Sequence, residues 1–126
     1  MPLSTGLTQR DNAYIIDIMQ AFLSEFEFLV LAATARLGDD AYAVTILHEI
    51  ASRTGRKVSR GSVYVTLDRL TTKGFLESRL GEPTAERGGK AKRYYVLTTR
   101  GITAVRNSKR AFLAMVENLD PLLRRS

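Results

Sequence analysis

The chain has 126 residues, a length typical of one domain, of which 44% are hydrophobic and 25% are charged. It contains no cysteine, which excludes disulfides, thiol catalysis and cysteine-ligated metals. The longest apolar run is six residues, from Phe28 to Ala33, whereas a membrane helix needs about 20. Because the N-terminus also has no basic and apolar leader pattern, we expect a cytoplasmic protein with no membrane partner.

The net charge of +6 is distributed unevenly along the chain. Residues 1–52 include two basic and seven acidic residues, residues 53–110 include 15 basic and four acidic residues, and residues 111–126 balance at zero. The middle segment therefore has a net charge of +11, which suits a polyanion such as nucleic acid. A solvated basic surface without a partner fits the charge alone equally well.

The N-terminal part of the chain predicts two helices. Residues 1–10 are polar and are expected to be a flexible N-terminus. A helical spacing of apolar residues begins after Asp11. Its members are Tyr14, Ile15, Ile18, Met19 and Phe22. Ser24 and Glu27 then have the spacing of a capping box, and Gly38 suits the left-handed position after the helix that follows.

Two further helices are predicted in the next 35 residues. Asp39 or Asp40 can cap the first, which ends at Gly55, and Ser59 can cap the second, which covers 60–73. The buried stripe of this second helix is expected to be Val63, Leu67 and Leu70. The opposite side is expected to carry Ser62, Val65, Arg69 and Lys73.

The period of the pattern then changes from helix to strand. Residues 75–80 and 93–97 predict two strands, and the Gly-rich, charged segment 81–92 predicts the loop between them. Thr98 can cap a last helix over 99–119. Compact helices followed by a hairpin predict a mainly α (α+β) fold, a winged helix-turn-helix with a two-stranded wing and flanking N- and C-terminal dimerisation helices.

The sequence resembles the PadR-like transcriptional regulators in two segments, VSRGSVYVTLDRLTTKGFLES (58–78) and KRYYVLTTRG (92–101). The matching features of the first are the capping Ser59, the aliphatic-Tyr pair Val63-Tyr64 and the sequence Leu67-Asp68-Arg69-Leu70. The resemblance extends over about residues 24–105. It implies a dimeric winged-helix regulator of the type with a single C-terminal helix, in a family that usually represses transcription.

Two groups of residues are predicted to contact double-stranded DNA. In the 60–73 helix and its cap they are Ser59, Arg60, Ser62, Tyr64, Arg69 and Lys73. In the wing they are Arg87, Lys90, Lys92 and Arg93. The hydroxyl groups and the lysines suit phosphates, and the helix arginines suit bidentate contacts with guanine. The wing arginines and lysines suit phosphates or the minor groove. The contact of Tyr64 follows mainly from the resemblance. The competing interpretations are a helix cap, core packing for Tyr64, a solvated helix face and a solvated loop.

The two terminal helices have more apolar side chains than one small core can cover, which predicts a homodimer. The predicted interface residues are Tyr14, Ile15, Ile18, Phe22, Val105, Phe112, Leu113, Val116 and Leu119. The corresponding domains are the winged helix with its N-terminal helix over 11–98 and the dimerisation helix over 99–126. Packing of both helices within one chain is the alternative.

No arrangement of residues in the sequence indicates an enzyme. His48 is the only histidine, and without cysteine it cannot build a typical zinc site, so we expect neither a metal nor a cofactor. His48 and Glu49 do not form a catalytic pair, and no nucleophile with a base is evident.

The sequence therefore predicts a sequence-specific transcriptional regulator that binds a pseudo-palindromic operator as a homodimer, and the resemblance to the family implies that it acts as a repressor. Two alternatives remain at this stage. One is a winged-helix adaptor whose basic face binds an acidic protein. The other is a regulator that senses a small-molecule effector of unknown identity in the dimer cleft, lined by Phe22, Phe26 and Phe112.

Overall fold

A computed structural model describes residues 22–83 and 91–124 of the chain. Its elements in chain order are α1 (Glu25–Leu37), a 3-10 turn (Gly38–Asp40), α2 (Ala43–Thr54), α3 (Arg60–Thr72), β1 (Leu76–Leu80), β2 (Arg93–Leu97), α4 (Thr99–Val116) and α5 (Asp120–Leu123). This order of three helices, a hairpin and a long helix confirms the predicted winged helix-turn-helix. The predicted flexible segment 1–10 and most of the helix after Asp11 lie outside the described residues.

The three N-terminal helices and the start of the hairpin form one hydrophobic core. Its largest fully buried side chains are Phe75, Leu31, Ile46, Leu67, Leu70, Leu76, Val30 and Val63. The predicted stripe of Val63, Leu67 and Leu70 is confirmed, since all three are completely buried. This stripe fixes the rotation of α3 about its axis, so the opposite side of that helix faces solvent.

Helix starts and ends follow local hydrogen bonds. Ser24 and Glu27 form the predicted capping box of α1, with Ser24 Oγ accepting from the Glu27 N–H at 3.1 Å. The predicted cap of α2 by Asp39 or Asp40 is wrong. The residue at the cap is Tyr42, whose N–H donates to Thr45 Oγ1 at 3.0 Å. The Thr45 hydroxyl in turn donates to the Asp40 carbonyl, so the backbone of Asp40 contributes and its carboxylate does not.

The hairpin is antiparallel and its register pairs Leu76 with Leu97 and Leu80 with Arg93. The segment before α2 pairs with β2 at one point. Tyr42 forms an isolated antiparallel bridge with Tyr94, and the Tyr95 N–H donates to the Ala41 carbonyl at 2.9 Å. Tyr95 is buried, whereas Tyr94 lies at the edge of the core, as strand alternation predicts for neighbouring residues.

The last helix is shorter than predicted. α4 ends at Val116 instead of residue 119, and Asn118 adopts a positive φ of 55° before the short α5. Only Gly101 and Ala104 of α4 are buried. The second half of this helix therefore extends beyond the core that the other elements form.

Candidate nucleic-acid interface

α3 and its cap expose five of the ten residues predicted to contact DNA. Ser59 caps the helix, with its Oγ accepting from the Ser62 N–H at 3.1 Å and lying 2.7 Å from Ser62 Oγ. Arg60, Tyr64 and Arg69 are exposed. Helix N–H groups and hydroxyls at the start of the helix can bind phosphates, and the guanidinium of Arg69, two to three turns later, can bind a base edge.

Lys73 does not lie on that exposed side, and its predicted position is wrong. Its ammonium donates to Glu27 Oε2 at 2.8 Å, and only 26% of its side chain and 4% of that of Glu27 are exposed. Lys73 is the C-cap residue of α3, so the ion pair fixes the end of this helix to the first turn of α1. The ammonium is thus paired within the chain, which contradicts the predicted phosphate contact.

The Glu27 carboxylate connects two helices through both of its oxygens. Oε1 accepts from the Ser24 N–H at 2.8 Å while Oε2 accepts from Lys73. Burial alone would raise the pKa of Glu27, but the hydrogen bonds from Lys73 and Ser24 and the charge of Lys73 outweigh it, so that the pKa lies below its usual value. The group is therefore charged at neutral pH.

The base of the wing is held by aromatic and cationic contacts. The Lys92 ammonium lies 4.4 Å from the ring centroid of Tyr42, whose ring meets that of Tyr94 edge-on at 5.5 Å. The Arg79 guanidinium lies 5.1 Å from the Tyr94 ring centroid. Lys92 is therefore half-buried against Tyr42, with its head group at the surface of this cluster.

Arg93 is exposed on β2, where its guanidinium donates to Ser78 Oγ at 3.0 Å. The remaining predicted wing contacts, Arg87 and Lys90, lie outside the described residues. The two strands thus place Lys92 and Arg93 at the root of the wing.

Three further basic residues lie on this surface that the sequence pattern did not predict. Arg56 and Lys57 are exposed just before Ser59, and Arg56 pairs with Glu25 at 2.7 Å. Arg79 is exposed on β1. The basic sequence before Ser59 was a visible signal for the first two, whereas the position of Arg79 depends on the strand register.

The predicted dimer residues divide into an exposed and a packed group. Phe22, Phe112, Leu113 and Val116 are exposed. Phe22 and Phe112 line an apolar groove of about 440 Å³ that also includes Leu23 and Met115. The prediction that Val105 is a free interface residue is corrected, since Val105 is half-buried against the core of its own chain. Leu119 is also half-buried. Tyr14, Ile15 and Ile18 lie outside the described residues.

The predicted cleft lined by Phe22, Phe26 and Phe112 needs one correction. Phe26 does not line the groove of Phe22 and Phe112 but a different cavity, of about 230 Å³, beside Arg56 and Ser59. His48 is exposed, and the described part of the chain includes no cluster of three acidic or histidine side chains that would hold a metal ion. Within residues 22–83 and 91–124, no helix combines the length and the apolar character needed to cross a membrane.

The chain is similar in sequence to one family and in fold to its solved members. The profile of the transcriptional regulator PadR-like family matches residues 30–107. A PadR family transcription regulator from Clostridium difficile R20291 has a TM-score of 0.67 and 19% identity, with 79% of this chain and 99% of that chain covered. No curated protein matches the sequence.

Two further solved structures give the same result. A PadR-like transcriptional regulator from Bacillus cereus strain ATCC 14579 has a TM-score of 0.65 and 20% identity, covering 78% of this chain and 90% of that chain. A PadR family regulator from Eggerthella lenta DSM 2243 has a TM-score of 0.62 and 21% identity, covering 78% and 83%. At these identities the likeness concerns the fold.

Proposed function

Because the chain belongs to the PadR-like family and is therefore a DNA-binding transcriptional regulator, we propose that it represses transcription as a homodimer bound to a pseudo-palindromic operator. The single observation that carries the proposal is the outward side of α3, where Arg69 and the capped N-terminal turn are exposed beside a basic wing. In a helix-turn-helix protein the second helix of the motif enters the major groove.

Each exposed group of α3 has a distinct role in this proposal. Ser59 and Ser62 bind phosphates at the N-terminal turn, where the helix dipole also favours an anion. Arg60 and Arg69 read guanine by bidentate contacts, and the exposed Tyr64 contacts the DNA from the flank of the helix. Replacing Arg69 by alanine should weaken operator binding by about 1–3 kcal/mol and relax the preference at one base pair.

The wing binds the DNA backbone next to the half-site. Arg93 and the ammonium of Lys92 bind phosphates at the root of the wing, and Arg87 and Lys90 are proposed to do so beyond it. If a dimer neutralises six to ten phosphates, affinity should fall by about 10³–10⁵ between 50 and 200 mM salt. Neutralising Lys90 and Lys92 should weaken binding to all sequences alike and reduce this salt dependence.

The homodimer is proposed on the exposed apolar side of α4. Phe112, Leu113, Met115 and Val116 are all exposed within two turns, and none of them belongs to the buried core that the described residues form. A second copy would cover this surface and the groove beside Phe22. Leu113→Glu should therefore produce monomers by analytical ultracentrifugation, whereas Val96→Glu, at a similarly exposed position on β2 (58% against 57%), should remain dimeric.

Selection of bound duplexes from a random pool at near-physiological salt, followed by footprinting, tests the DNA site. The expected result is a palindrome whose half-sites lie about one helical turn apart. Salt-sensitive binding to every duplex without enrichment would contradict a specific operator. Binding to no duplex would contradict the proposal and favour the adaptor function instead.

Repression is proposed on the resemblance to the family, and a reporter gene behind the selected operator tests it. Reporter output should fall as the protein is expressed. A rise in output would identify an activator, and an unchanged output with an occupied operator would contradict a direct role in transcription.

A further inference from the structure

An apolar side chain lies at the centre of the outward side of α3. Val65 is 56% exposed, while the core contacts of α3 come from Val63, Thr66, Leu67 and Leu70 on the other side. At 100° per residue, Ser62 and Arg69 lie within about 60° of Val65 on the helix surface. Valine is also a poor helix former compared with the polar residues that usually occupy such positions. Neither packing nor helix propensity therefore explains a valine here.

The turn before Val65 is unusually open. Within the part of the chain that the structure describes, an added Cβ at Gly61 would meet no atom within 4 Å, and the backbone of Gly61 does not require a positive φ. The fold of this chain thus does not need a glycine there, although glycine weakens a helix. Gly61 and Ser62 leave room for another molecule to approach the first turn of α3 closely and to reach Val65.

The surroundings of Val65 favour DNA over an apolar protein surface. Arg60 and Arg69 are exposed on the same helix, and Arg56, Lys57 and Arg93 are exposed on neighbouring segments. A major groove that meets this basic surface offers one apolar group, the C5-methyl group of thymine. The side chain of valine has two methyl groups and no hydrogen-bonding atom, so it can distinguish bases only through such a contact.

We propose that Val65 is a specificity-determining residue, which recognises a thymine in each half-site by packing its methyl groups against the thymine C5-methyl group. Arg69, one turn further along α3, would read a neighbouring base pair through hydrogen bonds. The inference rests on the proposed operator binding, and it adds which chemical group of the operator the centre of α3 detects.

Replacement of a thymidine by deoxyuridine tests this contact, because it removes the C5-methyl group of the base and leaves every base-pairing atom in place. Each thymine of the selected half-site is replaced in turn, symmetrically in both half-sites. At one position the wild-type protein should lose about fourfold in affinity for each half-site, or about fifteenfold for the dimer, as expected for one buried methyl group. Val65→Ala keeps one methyl group but holds it closer to the helix backbone, so this variant should lose most of the sensitivity to deoxyuridine.

Val96→Ala provides the matched control, since Val96 is 58% exposed but lies on β2. This variant should keep the full sensitivity to deoxyuridine. Both variants should unfold at nearly the wild-type temperature, because both side chains are mostly exposed. A changed response to deoxyuridine in Val65→Ala alone therefore reports a direct contact and not a loss of folded protein.

Three results would overturn the inference while leaving the operator site intact. They are a half-site without thymine, a wild-type protein that tolerates deoxyuridine at every position, and a Val65→Ala variant with an unchanged deoxyuridine penalty. If the proposed function itself is wrong, the wild-type protein prefers no duplex even before any thymidine is replaced. That result would refute both operator binding and the role of Val65.

Discussion

Two helices of this chain begin in nearly the same way but face different surroundings. α3 begins with Ser59, whose hydroxyl accepts from the Ser62 N–H at 3.1 Å, and α4 begins with Thr98, whose hydroxyl accepts from the Gly101 N–H at 3.0 Å. Each has a glycine in its first turn, Gly61 in α3 and Gly101 in α4. In sequence the two helices therefore look alike, since each begins with a capping hydroxyl residue and has a glycine in its first turn.

The two glycines differ in what surrounds them. A Cβ on Gly101 would lie 2.2 Å from the Phe75 carbonyl oxygen, whereas a Cβ on Gly61 would meet nothing within 4 Å. Gly101 is therefore required by the close packing of α4 on the start of the hairpin. Among the described residues no neighbour of this kind requires Gly61, and the free space there agrees with the proposed close approach of DNA to this turn.

The largest expected effect is that of Gly101→Ala. The obstructing atom belongs to the backbone of Phe75, next to a fully buried ring, and cannot move without shifting the hairpin. We expect the free energy of unfolding to fall by about 3 kcal/mol, the upper part of the range for overpacked sites. Urea denaturation measures this, and a loss below about 1 kcal/mol would contradict the rigid contact between α4 and Phe75.

The next largest loss of stability is expected for Lys73→Met, at the C-terminal end of α3. The substitution keeps the aliphatic stem of Lys73 but leaves the Glu27 carboxylate buried without its cationic partner. Removing one partner of a fully buried pair costs about 3–5 kcal/mol, and the partial exposure of Lys73 reduces our expectation to about 2 kcal/mol at pH 7.

The dependence on pH gives this substitution a distinctive result. In the wild type the pKa of Glu27 is lowered from 4.5, so its contribution to stability is complete above that pH and disappears as the pH falls through the lower, folded-state pKa. Without Lys73, only the hydrogen bonds from Ser24 oppose the effect of burial, so the pKa of Glu27 should rise from its wild-type value. The stability difference between wild type and variant should therefore shrink steadily between pH 6 and pH 3, about the range in which carboxylates titrate. A constant difference would show that the lost energy is not that of the ion pair.

Replacing the two capping hydroxyls compares the helix starts directly. Thr98→Ala should cost more than Ser59→Ala, about 2 against about 1 kcal/mol, although both remove one cap. The reason is that the Thr98 hydroxyl also donates to the Gly74 carbonyl at 2.6 Å, whereas the second contact of Ser59 is with an exposed serine. Thr98→Ser should recover most of the loss, and equal costs for both alanine variants would exclude an added role of the Gly74 contact.

The sequence predicts elements well here and contacts between distant elements poorly. Caps and apolar periods are local, so the position of α3 and its buried residues are correct to within one residue. Lys73 is misplaced because a helical wheel does not include Glu27, which is 46 residues away and fits a capping box by itself. The packing of Val105 depends likewise on the docking of α4, and the cap of α2 on backbone atoms of Asp40.

The smallest effect on stability, and the most informative, is that of Gly61→Ala. The added methyl group has free space and replaces a poor helix former, so the protein should become more stable by about 0.5–1 kcal/mol in urea denaturation. Operator affinity should nevertheless fall at least about tenfold, since the methyl group would occupy the space where DNA approaches the first turn. Opposite signs in the two measurements would separate a binding role from a folding role. A variant that is stabilised and binds the operator like the wild type would mean that DNA does not come close to Gly61, and the open turn would then have no part in recognition.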